Sequence, residues 1–326
     1  MKRQSLLVAT LGFIAPFAFA GSRATADKFP SRPIRAVVPW PAGGVVDVIT
    51  RAVTAKASAD WGSSIIVETK TGADGAIGTQ YVARSAADGY TWLIGTLTTV
   101  TAPYVVKNIY SNPIDDFSGV AMLAASSLLA VVPATLPVKS VKEFVALARS
   151  RPGKLNYLNP GIGSASYLNC EILNAKEHIN VVSVLYKGQP PGIPDLVSGR
   201  LQFALLAPQV AAPLVTAGKL KPLAAAFPKR IGQFPHVPTF AEAGFPEANV
   251  VASYYILVPK HTPRDVVMQI SNEIDKAIAD RSVRSRIEAT GASVTAAMTP
   301  DQVDAFLKAD TARWAQFFKE HKFSAE

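Results

Sequence analysis

The sequence has little of what most metal-binding and catalytic proteins need. Its single cysteine, Cys170, has no partner for an internal disulfide, and the helical pattern around it predicts a buried, unreactive thiol. The four histidines are far apart and fall in no metal-ligand spacing. The G-x-S-x-G signature of a nucleophile elbow does not occur. We therefore expect no enzymatic activity, no metal and no cofactor.

A secreted hydrolase stays open as an alternative, because catalytic sites are defined by geometry and not by sequence position. Ser164 is a conceivable nucleophile, although no obvious base lies near it in the sequence. The spacing Gly161-x-Gly163-x-x-Ser166 is faintly similar to a dinucleotide-binding fingerprint. Its last position is serine, and export argues against a nicotinamide enzyme.

Beyond its first residues the chain has no apolar run that is long and unbroken enough to cross a membrane. Residues 1–26 have the pattern of a secretory signal peptide, in which Lys2 and Arg3 precede an apolar stretch, with cleavage expected after Ala20 or Ala26. Removing residues 1–20 leaves 33 − 2 = 31 basic residues against 24 acidic ones, a net charge of +7. These basic residues are scattered, which favours small anions over nucleic acid as partners. The predicted location is the periplasm.

Short apolar strands alternate with helical patterns from residue 34 onward, which predicts an α/β protein with largely parallel sheets. A long strand at residues 122–133 is expected to leave a first lobe, residues 220–227 to carry the chain back, and residues 253–259 to rejoin the first sheet. Two C-terminal helices carry start signals, at Thr262-Pro263 and at Thr299-Pro-Asp-Gln302. The predicted division is residues 27–125 and 226–326 for the first lobe and residues 126–225 for the second.

Two glycine-rich turns each join a predicted strand to a predicted helix: "PWPAGG" at residues 39–44 and "PGIGSAS" at residues 160–166. If Gly44 is the N-cap, the amides of residues 43–46 are among those that a helix cannot satisfy internally, and they form a ready site for an anion. Glycine-rich turns also occur simply because the chain must reverse. Likewise, Asp47 is explained equally well as a favourable charge in the first turn of a helix. Both alternatives stay open.

These turns and several further motifs resemble one known family. The segments "FPSRPIRAVVPWPAGGVVDVITR", "TGADGAIGTQYVA", "ADGYTWLIGT", "PGKLNYLNPGIGSASYLN" and "YKGQPPGIPDLVSGRLQFAL" are similar to those of the solute receptors of tripartite tricarboxylate transporters, also called the Bordetella uptake gene (Bug) family. The similarity extends through "GKLKPLAAAFPKR" and "VPTFAEAGFP" and covers essentially the whole mature chain.

The resemblance implies a two-lobed periplasmic binding protein of type II fold, an α/β flytrap with its ligand cleft between the lobes. It implies a small carboxylate as ligand, a membrane permease of one large and one small subunit as partner, and a monomeric receptor. Some members of the family are thought to present their ligand to a signalling receptor, so a sensor partner is the alternative. The ligand-binding residues that it implies are Trp40, Ala42, Gly43, Gly44, Asp47, Thr96, Thr98, Thr99, Gly161, Gly163, Ser164 and Ala165.

Two positions depart from the family pattern and bear on the ligand. Tyr167 stands where a histidine is frequent, and Gln202 stands where an aspartate is common. Fewer acids near the cleft would suit a doubly anionic ligand, and Trp40 with Tyr167 would suit a ring. We therefore include Tyr167 among the ligand-binding residues and hypothesise an aromatic or short aliphatic dicarboxylate. Both departures are explained as well by packing away from the ligand.

Overall fold

The structure is a computed structural model that describes residues 29–105 and 112–320. The predicted signal peptide therefore lies outside the described residues. The strands are β1 (Ile34–Val38), β2 (Ile65–Thr69), β3 (Thr91–Thr96), β4 (Phe117–Ser126), β5 (Leu128–Pro133), β6 (Leu155–Asn159), β7 (Val181–Leu185), β8 (Ala204–Leu206), β9 (Leu220–Ala226), β10 (Ala252–Pro259) and β11 (Ala292–Val294). The α-helices are α1 (Val45–Trp61), α2 (Ala76–Ala83), α3 (Leu97–Val105), α4 (Val141–Ser150), α5 (Ala165–Glu177), α6 (Ile193–Val197), α7 (Pro208–Thr216), α8 (Arg264–Ala279), α9 (Arg281–Ala289) and α10 (Pro300–Glu320).

Lobe 1 is built around a six-stranded sheet with the order β11, β4, β10, β3, β1, β2. β1 runs parallel to β2 and β3, whereas β10 is antiparallel to β3 and β4, and β11 is antiparallel to β4. The predicted return of residues 253–259 to the first sheet is confirmed, but the prediction of largely parallel sheets is wrong. β4 leads the chain out toward the second lobe and β10 brings it back, so the two central strands must run in opposite directions.

Lobe 2 is built around two smaller sheets that share one edge. β5 pairs antiparallel with β8 and β9, and β6 pairs parallel with β7. A parallel bridge between Tyr157 and Phe203 joins the sheets, and the N–H of Leu158 donates to the Phe203 carbonyl at 3.0 Å. β6, β7 and the segment entering β8 therefore run in the same direction.

Within residues 112–320 the chain passes between the lobes twice. The predicted strand at residues 122–133 is in fact two strands, because β4 ends at Ser126 in the lobe 1 sheet and β5 begins at Leu128 in a lobe 2 sheet. The second passage follows β9, which still belongs to lobe 2 and ends at Ala226. The prediction that residues 220–227 carry the chain back therefore places this passage one strand too early.

The helix start signals have mixed outcomes. Before α10, the Thr299 hydroxyl accepts the Gln302 N–H at 3.3 Å, and the Gln302 side chain accepts the Thr299 N–H at 2.9 Å, so this predicted capping box is confirmed. Before α8 the prediction is wrong by one residue, since Pro263 is the N-cap. The Thr262 hydroxyl donates instead to the Pro259 carbonyl at 2.7 Å, because it follows directly on the end of β10.

Burial on both faces of the lobe 1 sheet explains why its strands read as unbroken apolar runs. Ile34 and Val38 of β1 pack in one cluster with Ile49 of α1 and Ile270 of α8, whereas Val37 belongs to the cluster of the opposite face. This alternation is the two-residue period of a strand. Among residues 29–105 and 112–320, no helix combines the length and apolarity that a membrane span requires.

Candidate functional site

The topology brings the turns after several strands to common edges. β2, β1 and β3 are parallel neighbours, so the turns that follow them lie side by side at the carboxyl edge of the lobe 1 sheet. β6, β7 and the segment entering β8 are parallel too, and their following turns share an edge of lobe 2. In open α/β sheets this edge is where ligands bind, because helix N-termini and backbone amides face the same crevice.

The first glycine turn, residues 39–44, ends at the N-cap Gly44 of α1. Two of its amides are already used: the Gly43 N–H donates to the Asp47 carboxylate at 2.9 Å, and the Gly44 N–H approaches the Pro41 carbonyl at 3.4 Å. Fewer of the four expected amides are therefore available to an anion, because the Asp47 carboxylate inside the helix accepts the Gly43 N–H. Among the described residues, no acceptor contacts the N–H groups of Val45, Val46 and Asp47, which leaves three backbone donors for an anion.

Asp47 is buried, and its carboxylate also lies 3.0 Å from the Arg51 Nε one helical turn away. Burial works to raise the pKa of this carboxyl, but the hydrogen bonds from Arg51 and from the Gly43 N–H outweigh burial and hold the pKa below its usual value. Asp47 is therefore placed as the group that fixes the turn. Ala42, Gly43 and Gly44 are exposed to solvent around it.

A hydroxyl network backs the first turn. The Trp40 indole N–H donates to the Thr96 hydroxyl at 3.3 Å, and the Thr96 and Thr98 hydroxyls lie 2.8 Å apart. The Thr99 hydroxyl accepts the Thr96 N–H at 3.0 Å, and the Tyr255 hydroxyl donates to the Thr96 carbonyl at 2.7 Å. All three threonines are buried. They orient Trp40 and the start of α3 beside the first turn.

The second glycine turn, residues 160–166, contains the N-cap Ser164 and the first residues of α5. The Ser164 hydroxyl accepts the Tyr167 N–H at 3.2 Å, and the Gly161 N–H donates to the Asn159 side chain at 2.9 Å. Within the described part of the chain, no acceptor contacts the N–H groups of residues 162, 163, 165 and 166. The turn is largely buried and still offers four backbone donors.

The two lobes touch at the second glycine turn. The Thr101 hydroxyl of α3 lies 3.0 Å from the Gly163 carbonyl, across the gap between lobe 1 and lobe 2. A Cβ added to Gly161 would lie 3.4 Å from Oδ1 of Asp74. The second glycine turn of lobe 2 therefore lies against α3 and Asp74 of lobe 1.

Sequence reasoning missed a third turn in this cleft, residues 72–75, although its motif is part of the family resemblance. The turn follows β2 and packs on the first turn: a Cβ on Gly75 would lie 3.4 Å from the Pro39 Cβ. Asp74 is half-buried there, and burial raises the pKa of its carboxyl. The sequence feature that could have identified this turn is a Gly-Ala-Asp-Gly segment shortly after β2, the strand that neighbours β1. Asp74 is therefore an acid of the cleft that the sequence analysis did not select.

The two departures from the family pattern lie differently in the structure. The side-chain oxygen of Gln202 accepts the Asn156 N–H at 2.8 Å, and its amide group donates to the Gly199 carbonyl at 2.6 Å. Gln202 is therefore engaged with the backbone of lobe 2. Tyr167 is buried in the first turn of α5, where burial and the nearby Glu171 carboxylate raise the pKa of its phenol.

The chemistry on offer is that of an anion site. The Ser164 hydroxyl is used as an N-cap, and within the described residues no hydrogen bond joins it to a histidine or a carboxylate. No group of three or more potential metal ligands occurs among residues 29–105 and 112–320. What converges on the cleft is backbone N–H groups, hydroxyls and the half-buried acid Asp74.

Comparison with proteins of known structure defines the class. A Rhodopseudomonas palustris protein described as "Rpa4515 with adipate" is 31% identical, with a TM-score of 0.80 over 89% of this chain and 97% of that chain. A second, "MatC (Rpa3494) from Rhodopseudomonas palustris with bound malate", is 30% identical, with a TM-score of 0.77 over 88% and 99%. The predicted two-lobed type II periplasmic binding protein fold is confirmed.

The family follows from the sequence comparison. The profile described as "Tripartite tricarboxylate transporter family receptor" matches residues 49–323. Protein BugT of Bordetella pertussis is 30% identical over 97% of this chain and 95% of its own length. The chain belongs to the tripartite tricarboxylate transporter receptor family, and it is a solute-binding protein of the periplasmic type. The resemblance drawn from its motifs is confirmed.

Proposed function

We propose that the chain is a monomeric receptor that closes its two lobes around one small di- or tricarboxylate and delivers it to a two-subunit membrane permease. Aromatic dicarboxylates belong to the candidate ligands. The observation that carries the proposal is that each lobe has a glycine turn with unpaired backbone donors at a helix N-terminus, and that the second of these turns lies at the contact between the lobes. The adipate and malate named for two relatives support a carboxylate ligand.

The binding mechanism follows from the donors. Each helix N-terminus carries a partial positive charge, worth about 0.3–1 kcal/mol to a nearby anion at an exposed site and up to about 2 kcal/mol where the site is partly buried. A carboxylate that bridges the turns contacts both lobes and therefore favours the closed state over the open one. On this proposal the lobes are residues 27–125 with 226–326 and residues 126–225, with each boundary moved by one residue so that β4 stays whole in lobe 1 and β9 stays whole in lobe 2. Residues 1–26 are the export signal that takes the receptor to the periplasm.

The proposed site consists of the same residues that the sequence selects, some of which contact the ligand while others position those that do. We propose direct donation from the amides that follow Gly44 and from those around Gly163. Trp40 and Tyr167 form apolar walls, and Asp47 acts by positioning the turn. The hydroxyls of Thr96, Thr98 and Thr99 support this arrangement from behind. Ala42 and Ala165 leave room for the ligand.

Mass spectrometry of the natively purified protein and a calorimetric screen test the proposal. The screen includes adipate, citrate, glutamate, phthalate and terephthalate, with a monocarboxylate as the negative control. We expect one of the di- or triacids to bind in the micromolar range or tighter, about 8 kcal/mol or more. Binding should be accompanied by a smaller radius of gyration in X-ray scattering. Millimolar or weaker binding of all of them would remove the proposal.

A further inference from the structure

The third turn of the cleft, residues 72–75, has an unusual backbone. Its four residues have consecutive positive φ angles: +124° at Gly72, +47° at Ala73, +49° at Asp74 and +92° at Gly75. The left-handed conformation costs a residue with a side chain roughly 1–2 kcal/mol. Two such residues in succession persist only where the surrounding structure holds them. Here Pro39 holds one side of the turn.

This backbone aims the Asp74 carboxyl across the cleft. Oδ1 of Asp74 lies 3.4 Å from the place where Gly161 would carry a Cβ, so the absence of a side chain on Gly161 lets the carboxyl face the backbone of the second turn. The wall around it includes Thr79, Thr98 and Thr99. The Thr79 hydroxyl donates to the Gly75 carbonyl at 3.0 Å, the Thr98 hydroxyl lies 2.8 Å from the Thr96 hydroxyl, and the Thr99 hydroxyl accepts the Thr96 N–H.

The Asp74 carboxyl has no hydrogen-bond or ion-pair partner within the part of the chain that the structure describes. Among the described residues, no hydrogen bond or ion pair reaches it, and burial raises its pKa without a neighbouring group to oppose the shift. A half-buried carboxylate without a donor is unfavourable, and lobe closure around a ligand removes more of its water. A plain carboxylate ligand would place a second negative charge near it, whereas a ligand N–H or O–H would satisfy it.

We infer that Asp74 accepts a hydrogen bond from an amino or hydroxyl group of the ligand, so that the receptor selects substituted carboxylates over plain ones. The inference rests on the proposed function, since it concerns the same cleft. The backbone N–H groups of the two glycine turns bind the ligand's carboxylates, and Asp74 accepts a hydrogen bond from the substituent beside them. A site that leaves a buried polar group unpaired discriminates against the ligand that lacks the matching group.

Calorimetry with two matched series tests the inference. Succinate, malate and aspartate share a carbon chain and differ by a hydrogen, a hydroxyl or an ammonium at one position. Glutarate, 2-hydroxyglutarate and glutamate repeat the series with one more carbon. We expect the wild type to bind a hydroxyl- or ammonium-bearing member at least about tenfold more tightly than its plain diacid. The preferred member identifies the donor.

Two variants separate the effect of the Asp74 carboxylate from the effect of the backbone conformation of the turn. Asp74→Gly removes the carboxyl at a φ that glycine tolerates, and Asp74→Asn keeps the shape of the side chain without its charge. We expect the preference to fall below about threefold in Asp74→Gly and to weaken in Asp74→Asn. Thermal melting verifies that each variant is folded. If Asp74→Gly does not fold, the Asp74→Asn variant tests the inference.

The outcomes separate the two proposals. If a plain diacid binds the wild type as tightly as its substituted partners, or if the preference survives in both variants, the role of Asp74 is overturned while the carboxylate receptor stands. If no acid in the two series or in the screen of di- and triacids binds, the proposed function fails and this inference fails with it.

Discussion

The two glycine turns have the same backbone and different caps. Gly43 at φ +79° precedes the N-cap Gly44, and Gly163 at φ +80° precedes the N-cap Ser164. In both turns the N-cap N–H points back to a carbonyl three residues earlier, at 3.4 Å in the first turn and 3.2 Å in the second. The resemblance ends at the caps, because glycine has no side chain to satisfy its helix.

In the first turn, the Asp47 carboxylate inside the helix compensates for the missing side-chain cap. Asp47 occupies the Gly43 N–H and places a carboxylate beside the positive end of α1, which weakens the attraction of that turn for an anion. The second turn uses the neutral Ser164 hydroxyl and has no carboxylate hydrogen-bonded to its amides; the Asp74 carboxyl of lobe 1 faces this turn without such a bond. We therefore expect the second turn to be the stronger anion cradle and the first to be the better-ordered but weaker one.

The largest expected effect comes from adding a methyl group to each turn. Gly163→Ala and Gly43→Ala impose the same left-handed strain, about 1–2 kcal/mol. A Cβ at Gly43 meets nothing within 4 Å, whereas Gly163 is buried at the lobe contact. We expect affinity for the best carboxylate to fall about thirtyfold or more in Gly163→Ala and about threefold in Gly43→Ala, as measured by calorimetry.

Gly218→Ala is the matched control, because Gly218 has a φ of +65° and open space around it at the far end of α7. It should lose stability to a similar degree without a change in affinity. Equal losses of affinity at Gly43 and Gly163 would mean that the two turns grip the ligand alike.

The second effect comes from deleting the caps. Asp47→Ala removes the acceptor of the Gly43 N–H and the partner of Arg51, so the first turn should loosen and affinity should fall about tenfold. Ser164→Ala deletes a hydroxyl cap, which typically costs about 1 kcal/mol of unfolding free energy. Urea unfolding and calorimetry of both variants check this.

Asp47→Asn separates geometry from charge, since the amide oxygen still accepts the Gly43 N–H. The variant should keep the turn and bind a carboxylate at least as tightly as the wild type. A tenfold loss in Asp47→Asn would instead show that the charge of Asp47 supports binding, contrary to the comparison of the turns.

The sequence predicted local structure better than it predicted contacts between residues that are far apart in the chain. The strand, glycine turn and helix at each site depend on residues that are neighbours in the chain, and both were correctly placed. The antiparallel β10 was missed because its direction depends on how the chain returns from lobe 2. Asp74 was missed because its importance depends on Gly161, which is far along the chain and on the other lobe.

The third effect concerns the contact that joins the turns. Thr101→Val keeps the shape of the side chain but removes the hydroxyl that reaches the Gly163 carbonyl at 3.0 Å. A typical hydrogen bond contributes about 1 kcal/mol, so we expect affinity to fall about fivefold through a less stable closed state. Thr50→Val is the control, because the Thr50 hydroxyl bonds only within α1. X-ray scattering of both variants should show a more open unliganded form only for Thr101→Val, and an unchanged form in both would exclude a role of this contact in closure.

The smallest expected effect compares the two acids of lobe 1, whose pKa values shift in opposite directions. Burial raises the pKa of Asp74 above 3.8, so the folded state binds its proton more tightly than the unfolded state does, and the ionised group lowers stability at neutral pH. Asp74→Asn should therefore raise the melting temperature at pH 7 by about 1–2 °C, and this gain should disappear as the pH falls below about 3.8.

Asp47 has a lowered pKa, so its stabilising contribution is present above 3.8 and is lost as the pH falls through the folded-state value. Asp47→Asn should therefore lower the melting temperature at pH 7. Melting curves between pH 3 and pH 8 for both variants check the pair of signs, and a destabilised Asp74→Asn at pH 7 would mean that the Asp74 carboxylate is satisfied in the unliganded cleft.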